Sequence, residues 1–208
     1  MKITDKRKYD IVVAGGGVAG VAAAVEAARA GKKVVLIDKS TQLGGLATIG
    51  LVNLFVPLCN GRGVQVIKGI ADEMLRLSLK YGFGDVPADW QNGEPGQNNT
   101  LQRLTARFSA PIYSLALCEY VREHGIEVMF DTIITDVQMT GGHIDAIVAY
   151  NMSGHILYEA DMFIDVTGDA DNYLYLWSFL LDVHTARADL ETMLLYFPHM
   201  LQFLAFHF

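Results

Sequence analysis

The order of apolar and polar positions along the chain shifts repeatedly between the two-residue period of strands and the 3.6-residue period of helices. Ile11–Ala14 is an unbroken apolar, β-branched run, the pattern of a buried strand. Glycines follow it, and then Val18 to Ala30 runs without a breaker and is dense in alanine, which predicts a tightly packed helix. Gly31 stands where such a helix stops. Val34–Ile37 is a second buried strand and ends on Asp38. Further on, Leu51 to Leu58 is apolar, and Val64–Tyr81 carries Ile67, Ile70, Met74 and Leu77 at helical spacing. Phe83–Thr100 holds three glycines, two prolines and a run of Asn and Gln, so a loop is expected there. Ala110–Glu123 reads as another helix, with Pro111 in its first turn, an apolar side of Leu115, Leu117 and Val121, and Gly125 ending it.

Five short strand patterns come next: Ile126–Phe130, Thr132–Met139, Ile144–Tyr150, His155–Glu159 and Met162–Val166. Gly141-Gly142 and Ser153-Gly154 lie between them as hairpin turns. The whole pattern predicts an α/β fold with a mainly parallel sheet flanked by helices and an antiparallel β-meander crossing over one side.

Composition narrows the function classes. The 208 residues are 51% hydrophobic and 19% charged, with a net charge of −7 and no basic stripe, so a nucleic-acid partner has no footprint here. Cys59 and Cys118 form no C-x-x-C, and the six histidines show no ligand spacing, so neither a redox pair nor a metal site is indicated. Four glycines and Glu26 argue against reading Ile11–Ala28 as a membrane span. Residues Met1 to Tyr9 are charged without a following apolar core and cleavage site, so a cytoplasmic protein is expected.

The chemistry begins at the first turn. Gly15, Gly17 and Gly20 make G-x-G-x-x-G directly after a strand and at the start of a helix. Gly15 lets the chain turn sharply, Gly17 has no side chain to keep a pyrophosphate from the backbone, and Gly20 lets the helix lie close on the sheet. The helix N-terminus around Val18 and Ala19 offers unpaired N–H groups and a partial positive charge to phosphates. Asp38, 18 residues after Gly20, is placed to accept hydrogen bonds from an adenosine ribose. Lys39 and Ser40 can add contacts there, and Gly44-Gly45, followed by Leu46-Ala47, offers bare backbone for the second half of a dinucleotide.

Tyr9-Asp-Ile-Val-Val-Ala-Gly-Gly-Gly-Val-Ala-Gly20, Asp38-Lys39-Ser40 and Leu43-Gly-Gly-Leu-Ala-Thr48 resemble the FAD-dependent oxidoreductases of the glutathione-reductase-like flavoproteins. So do Gly50-Leu51-Val52-Asn53 and Gln65-Val66-Ile67-Lys68-Gly69-Ile70, and the resemblance runs from about Tyr9 to Asp171. It implies a Rossmann-type FAD-binding domain over 1–171, with Gly15, Gly17, Gly20, Asp38, Lys39, Gly44 and Gly45 around the cofactor. About 50–110 would form part of a substrate-facing layer. Thr132-Ile133-Ile134 resembles the segment whose backbone meets the adenine ring, which brings in Ile134. Thr167-Gly168-Asp169 resembles the family's turn where the chain returns to the dinucleotide. Arg62, Lys68, Arg103 and Arg107 are cations in the substrate-facing region, for which solvated surface charge is the preferred reading, and Cys59 is read as a packing residue before a redox thiol.

Residues 172–208 break the family pattern with nine aromatics and long apolar runs. Helices packed on the domain or on a second copy are the preferred reading, ahead of a poorly ordered end or membrane-surface contact. No second glycine–acid turn follows Asp171, so the chain looks like the N-terminal part of such an enzyme. The expected activity is hydride transfer between a small organic substrate and flavin, with no catalytic acid or base assignable. An NAD-dependent oxidoreductase and a flavin-binding fragment or pseudoenzyme without turnover are the alternatives. Asp38 would repel the 2′-phosphate of NADP.

Overall fold

The computed structural model of the chain describes residues 2–60, 68–85, 105–141 and 143–168. Its elements are β1 (Ile3–Ala14), α1 (Val18–Arg29), β2 (Val34–Ile37), β3 (Leu54–Phe55), α2 (Ile70–Leu79), β4 (Ala106–Arg107), α3 (Ala110–Glu123), β5 (Glu127–Met129), β6 (Ile133–Thr140), β7 (His143–Asn151) and β8 (Gly154–Asp165). A single 3₁₀ turn, Gly45–Ala47, follows β2.

Six strands form one sheet in the order β5-β2-β1-β8-β7-β6. The first four run parallel, and β7 and β6 continue antiparallel from β8. The end of β1, Val12–Ala14, and all of β2 are buried because two different layers cover them, as their continuous apolar runs require. Val13, Val34 and Leu36 face Val21 and Val25 of α1, Met74 of α2, and Tyr113 and Leu117 of α3. On the opposite face Val12, Val35 and Ile37 meet Ile134, Ile147, Ile156 and Tyr158 of the meander. The meander therefore crosses one side of the parallel strands, as expected. The described helices α1, α2 and α3 flank the other side, also as expected.

Three boundaries differ from the sequence expectation. Strand β1 starts at Ile3 rather than Ile11, because its polar first half pairs with β8 from Ile3↔His155 onward. The two strands expected at His155–Glu159 and Met162–Val166 are one strand, β8; Glu159 and Asp161 are exposed, and the pairing with β1 passes through them without a break. Helix α2 starts at Ile70, since Gly69 takes φ +59 and ψ −136 and cannot continue a helix backwards. Val64 to Ile67 lie outside the described residues, as do Arg62, Arg103, residues 86–104 of the loop region, Asp169 and the apolar run 172–208. The antiparallel pair of β3 and β4, Leu54↔Arg107 and Phe55↔Ala106, was not expected from the sequence.

Candidate functional site

The carboxyl ends of β1, β2 and β8 meet the start of β6 around one cavity, lined by Gly15, Ile37, Asp38, Lys39, Thr132, Ile133, Ile134 and Thr167. Here the chain leaves β1 to one neighbour, β2, while β8 lies on the other side, which is the switch in strand order where open α/β sheets bind ligands.

Each glycine of the first turn has its own geometric reason. Gly15 takes φ +110, and a Cβ there would stand 2.5 Å from the Val166 carbonyl oxygen. A Cβ on Gly20 would stand 1.7 Å from the Gly15 carbonyl oxygen, so only glycine lets α1 lie this close to the turn. Gly17 differs from both: a Cβ there meets nothing within 4 Å. It caps the N-terminus of α1 without any side-chain cap hydrogen bond. The space beside Gly17 is thus open at the start of α1, where the positive end of the helix dipole lies.

Asp38 follows β2 directly and is braced on both sides. Its Oδ2 accepts the Gly16 N–H, and its Oδ1 accepts the Ser40 N–H at 2.6 Å and the Ser40 hydroxyl. The backbone around it is tied to the meander, with the Thr132 N–H donating to the Asp38 carbonyl at 3.0 Å. A carboxylate with four or so acceptor positions keeps capacity for further donors after these bonds.

The second glycine pair docks on the first. The Gly44 N–H donates to the Gly16 carbonyl at 2.8 Å, and Gly17 and Gly44 form an isolated parallel bridge. Gly44 and Gly45 take φ +103 and +51. Thr48 supports the turn from below: it is buried, its hydroxyl donates to the Leu43 carbonyl at 2.7 Å, and its Cγ2 would lie 2.4 Å from a Cβ on Gly44.

Among the expected site residues, Gly15, Asp38, Lys39, Ile134 and Thr167 share the cavity. Gly17, Gly44 and Gly45 adjoin it through the two turns, a Cβ on Gly45 lying 3.3 Å from the Gly17 Cα. Gly168, with φ +82, has open space where a Cβ would be. Gly20 is a buried residue in the first turn of α1, and Val18 and Ala47 pack partly against the helix-side core. Ala19 and Leu46 are exposed, and Asp169 lies outside the described residues. Cys59 is buried with Leu58, Leu75 and Ala106, which fits a packing residue, and Lys68 and Arg107 are exposed. Burial pushes the Cys118 thiol up, away from the reactive thiolate, although a hydrogen bond from the Leu43 backbone opposes the shift.

Sequence reasoning passed over Gly16, Thr48 and Asp165. Asp165 Oδ1 accepts the Thr167 N–H at 3.0 Å and its hydroxyl at 2.8 Å. An Asp two residues before a Thr at a strand end is the signal that was there to read.

The residues present fit a dinucleotide: bare backbone at Gly17, an uncapped helix N-terminus for the pyrophosphate, and the braced Asp38 acceptor for ribose hydroxyls. The model of the FAD dependent oxidoreductase family matches residues 10–173. A soluble pyridine nucleotide transhydrogenase of Marinomonas sp. (strain MWYL1) is 55% identical over 42 residues, which are 20% of this chain and 9% of that protein. A 4-oxocyclohexanecarboxylate 2-dehydrogenase of Sinomonas cyclohexanicum is 48% identical over 46 residues, 22% of this chain and 8% of that protein. Among solved structures, a geranylgeranyl bacteriochlorophyll reductase-like protein from Thermoplasma acidophilum aligns with a TM-score of 0.52 at 20% identity, over 77% of this chain and 39% of that one. The p-nitrophenol 4-monooxygenase from Pseudomonas putida DLL-E4 aligns with a TM-score of 0.54 at 13% identity, over 82% and 43%. These likenesses show the fold, and in each the chain covers less than half of the other protein's length. With the model matched over most of its length, this chain belongs to the FAD dependent oxidoreductase family.

Proposed function

We propose that the two glycine turns, Asp38 and the starts of β6 and of the turn after β8 hold the adenylate and pyrophosphate half of FAD. The whole protein then acts as an oxidoreductase moving a hydride between a small organic substrate and the flavin. One observation carries this reading: the open face at Gly17 lies between the α1 N-terminus and the Gly44–Gly45 turn. A phosphate seated there is offered backbone N–H groups and the helix dipole. When bound, the flavin supplies the two-electron chemistry, and the protein supplies binding, orientation and electrostatics. Asp38 accepts ribose hydroxyls while Gly16 and Ser40 hold its carboxylate in place. Residues 1–171 serve as the FAD-binding domain in this reading, with the region from about 50 to 110 turned toward substrate.

NAD is the second reading, since the strand–turn–helix and closing acid serve it as well. The second glycine turn, docked on the first, favours FAD because it lengthens the bare backbone beside the pyrophosphate. No helix among the described residues is long and apolar enough to cross a membrane. A cytoplasmic location suits two cysteines, Cys59 and Cys118, that form no disulfide. The test is a competition titration on the purified full chain: FAD binds and is not displaced by excess NAD if the reading holds. Preferential binding of NAD, or binding of neither, overturns it.

A further inference from the structure

Asp165 lies at the end of β8, one residue before the chain leaves the sheet, and the binding reading above assigns it nothing. Its Oδ1 takes both donors of Thr167, the N–H at 3.0 Å and the hydroxyl at 2.8 Å. The turn is also pinned from the β1 side: the Val166 N–H donates to the Ala14 carbonyl at 2.8 Å, and a Cβ on Gly15 would stand 2.8 Å from the Thr167 nitrogen. Thr167 itself lines the cavity with Asp38 and Ile134.

A threonine hydroxyl has one hydrogen and two lone pairs. A carboxylate accepts only, so the hydrogen of Thr167 goes to Asp165. With its hydrogen committed to Asp165, the Thr167 hydroxyl can only accept, like the Asp38 carboxylate that lines the same cavity. We propose that Asp165 is a positioning residue for the nucleotide site: it fixes the rotamer and polarity of Thr167, so that this wall of the cavity takes hydrogen-bond donors of the ligand, its hydroxyl or amino groups. The proposal rests on the FAD reading of the cavity and adds to it a residue outside the glycine turns.

The experiment is a double-mutant cycle on the full chain, with FAD as the probe and flavin fluorescence as the readout. Asp165→Ala and Thr167→Val each weaken FAD binding about tenfold, the loss of one well-made hydrogen-bonding arrangement. The double variant is no weaker than either single one, because both remove the same arrangement. Thr167→Ser, which keeps the hydroxyl, binds within about twofold of wild type, and Asp165→Asn, which keeps an acceptor oxygen, retains most of the affinity. Thermal unfolding of the ligand-free variants runs alongside; a purely structural role shows its coupling there and none in FAD affinity. Multiplicative losses reaching about a hundredfold in the double variant overturn the proposal, as does an Asp165→Ala variant that binds FAD normally. Failure of the wild-type chain to bind FAD overturns the cavity reading instead.

Discussion

The Gly44 N–H donates to the Gly16 carbonyl at 2.8 Å, so the turn after β2 hangs directly on the turn after β1. Two glycine-rich segments that are separate in sequence are one surface in the fold. Their backbone requirements differ, and that difference makes them separable by mutation.

Gly17→Ala and Gly44→Ala should part stability from binding. A methyl on Gly17 enters open space at φ −64, so only the poorer N-cap is felt and unfolding free energy falls by about 1 kcal/mol or less. FAD affinity falls at least about tenfold, because the methyl occupies the path of the pyrophosphate. A methyl on Gly44 meets Thr48 at 2.4 Å and a backbone at φ +103, which costs about 2 kcal/mol or more in denaturant unfolding.

Asp38→Asn leaves an oxygen and introduces an amide donor where the Gly16 and Ser40 N–H groups already point. One donor then faces another. The expected result is about 1–3 kcal/mol of lost stability, together with FAD binding weakened about tenfold or more by isothermal titration. Unchanged binding would remove Asp38 from the site.

Buried tyrosines contribute to the alkaline limit, Tyr9 and Tyr158 among them. Burial, then the hydrogen bond to Glu127, pushes the Tyr9 phenol up to about 12, and burial pushes Tyr158 up to about 12. A folded value above the unfolded value of about 10 means their contribution is whole below pH 10. It is lost as pH rises from there through 12. Tyr9→Phe should flatten the stability–pH curve in that window but lose about 1 kcal/mol at neutral pH, the worth of its 2.6 Å bond to Glu127. Tyr158→Phe should flatten it at no neutral-pH cost, since the Tyr158 hydroxyl is buried without a partner among the described residues.

Cys59→Ala tests whether the thiol is more than packing. Buried among Leu58, Leu75 and Ala106, it should cost about 1 kcal/mol of stability and leave FAD affinity and flavin reduction by any active donor unchanged.

The glycine turn, the second strand and Asp38 were legible because each rests on a local requirement: no Cβ at Gly15 and Gly20, a strand buried on both faces, an acid at its end. Helix α3 and the two hairpins were legible for the same reason, from Pro111, Gly125 and the glycines between strands. What escaped depends on partners distant in sequence. Thr4 to Lys8 read as a charged tail, and only β8 makes them a strand. Ala160 and Asp161 were read as a break between two strands, because Asp161 interrupts the apolar run; it is an exposed position within one strand. The pair β3 and β4 is two residues long on each side, too short for any periodicity. Within the site, Thr48 and Asp165 act by holding other residues, and a supporting role has no signature until the thing supported is in view.

The most direct measurement is a crystal structure of the full chain with FAD. The account predicts the pyrophosphate against Gly17 and the α1 N-terminus, with a ribose hydroxyl within hydrogen-bond distance of the Asp38 carboxylate. An adenylate bound elsewhere, or an Asp38 still engaged only with Gly16 and Ser40, would contradict it.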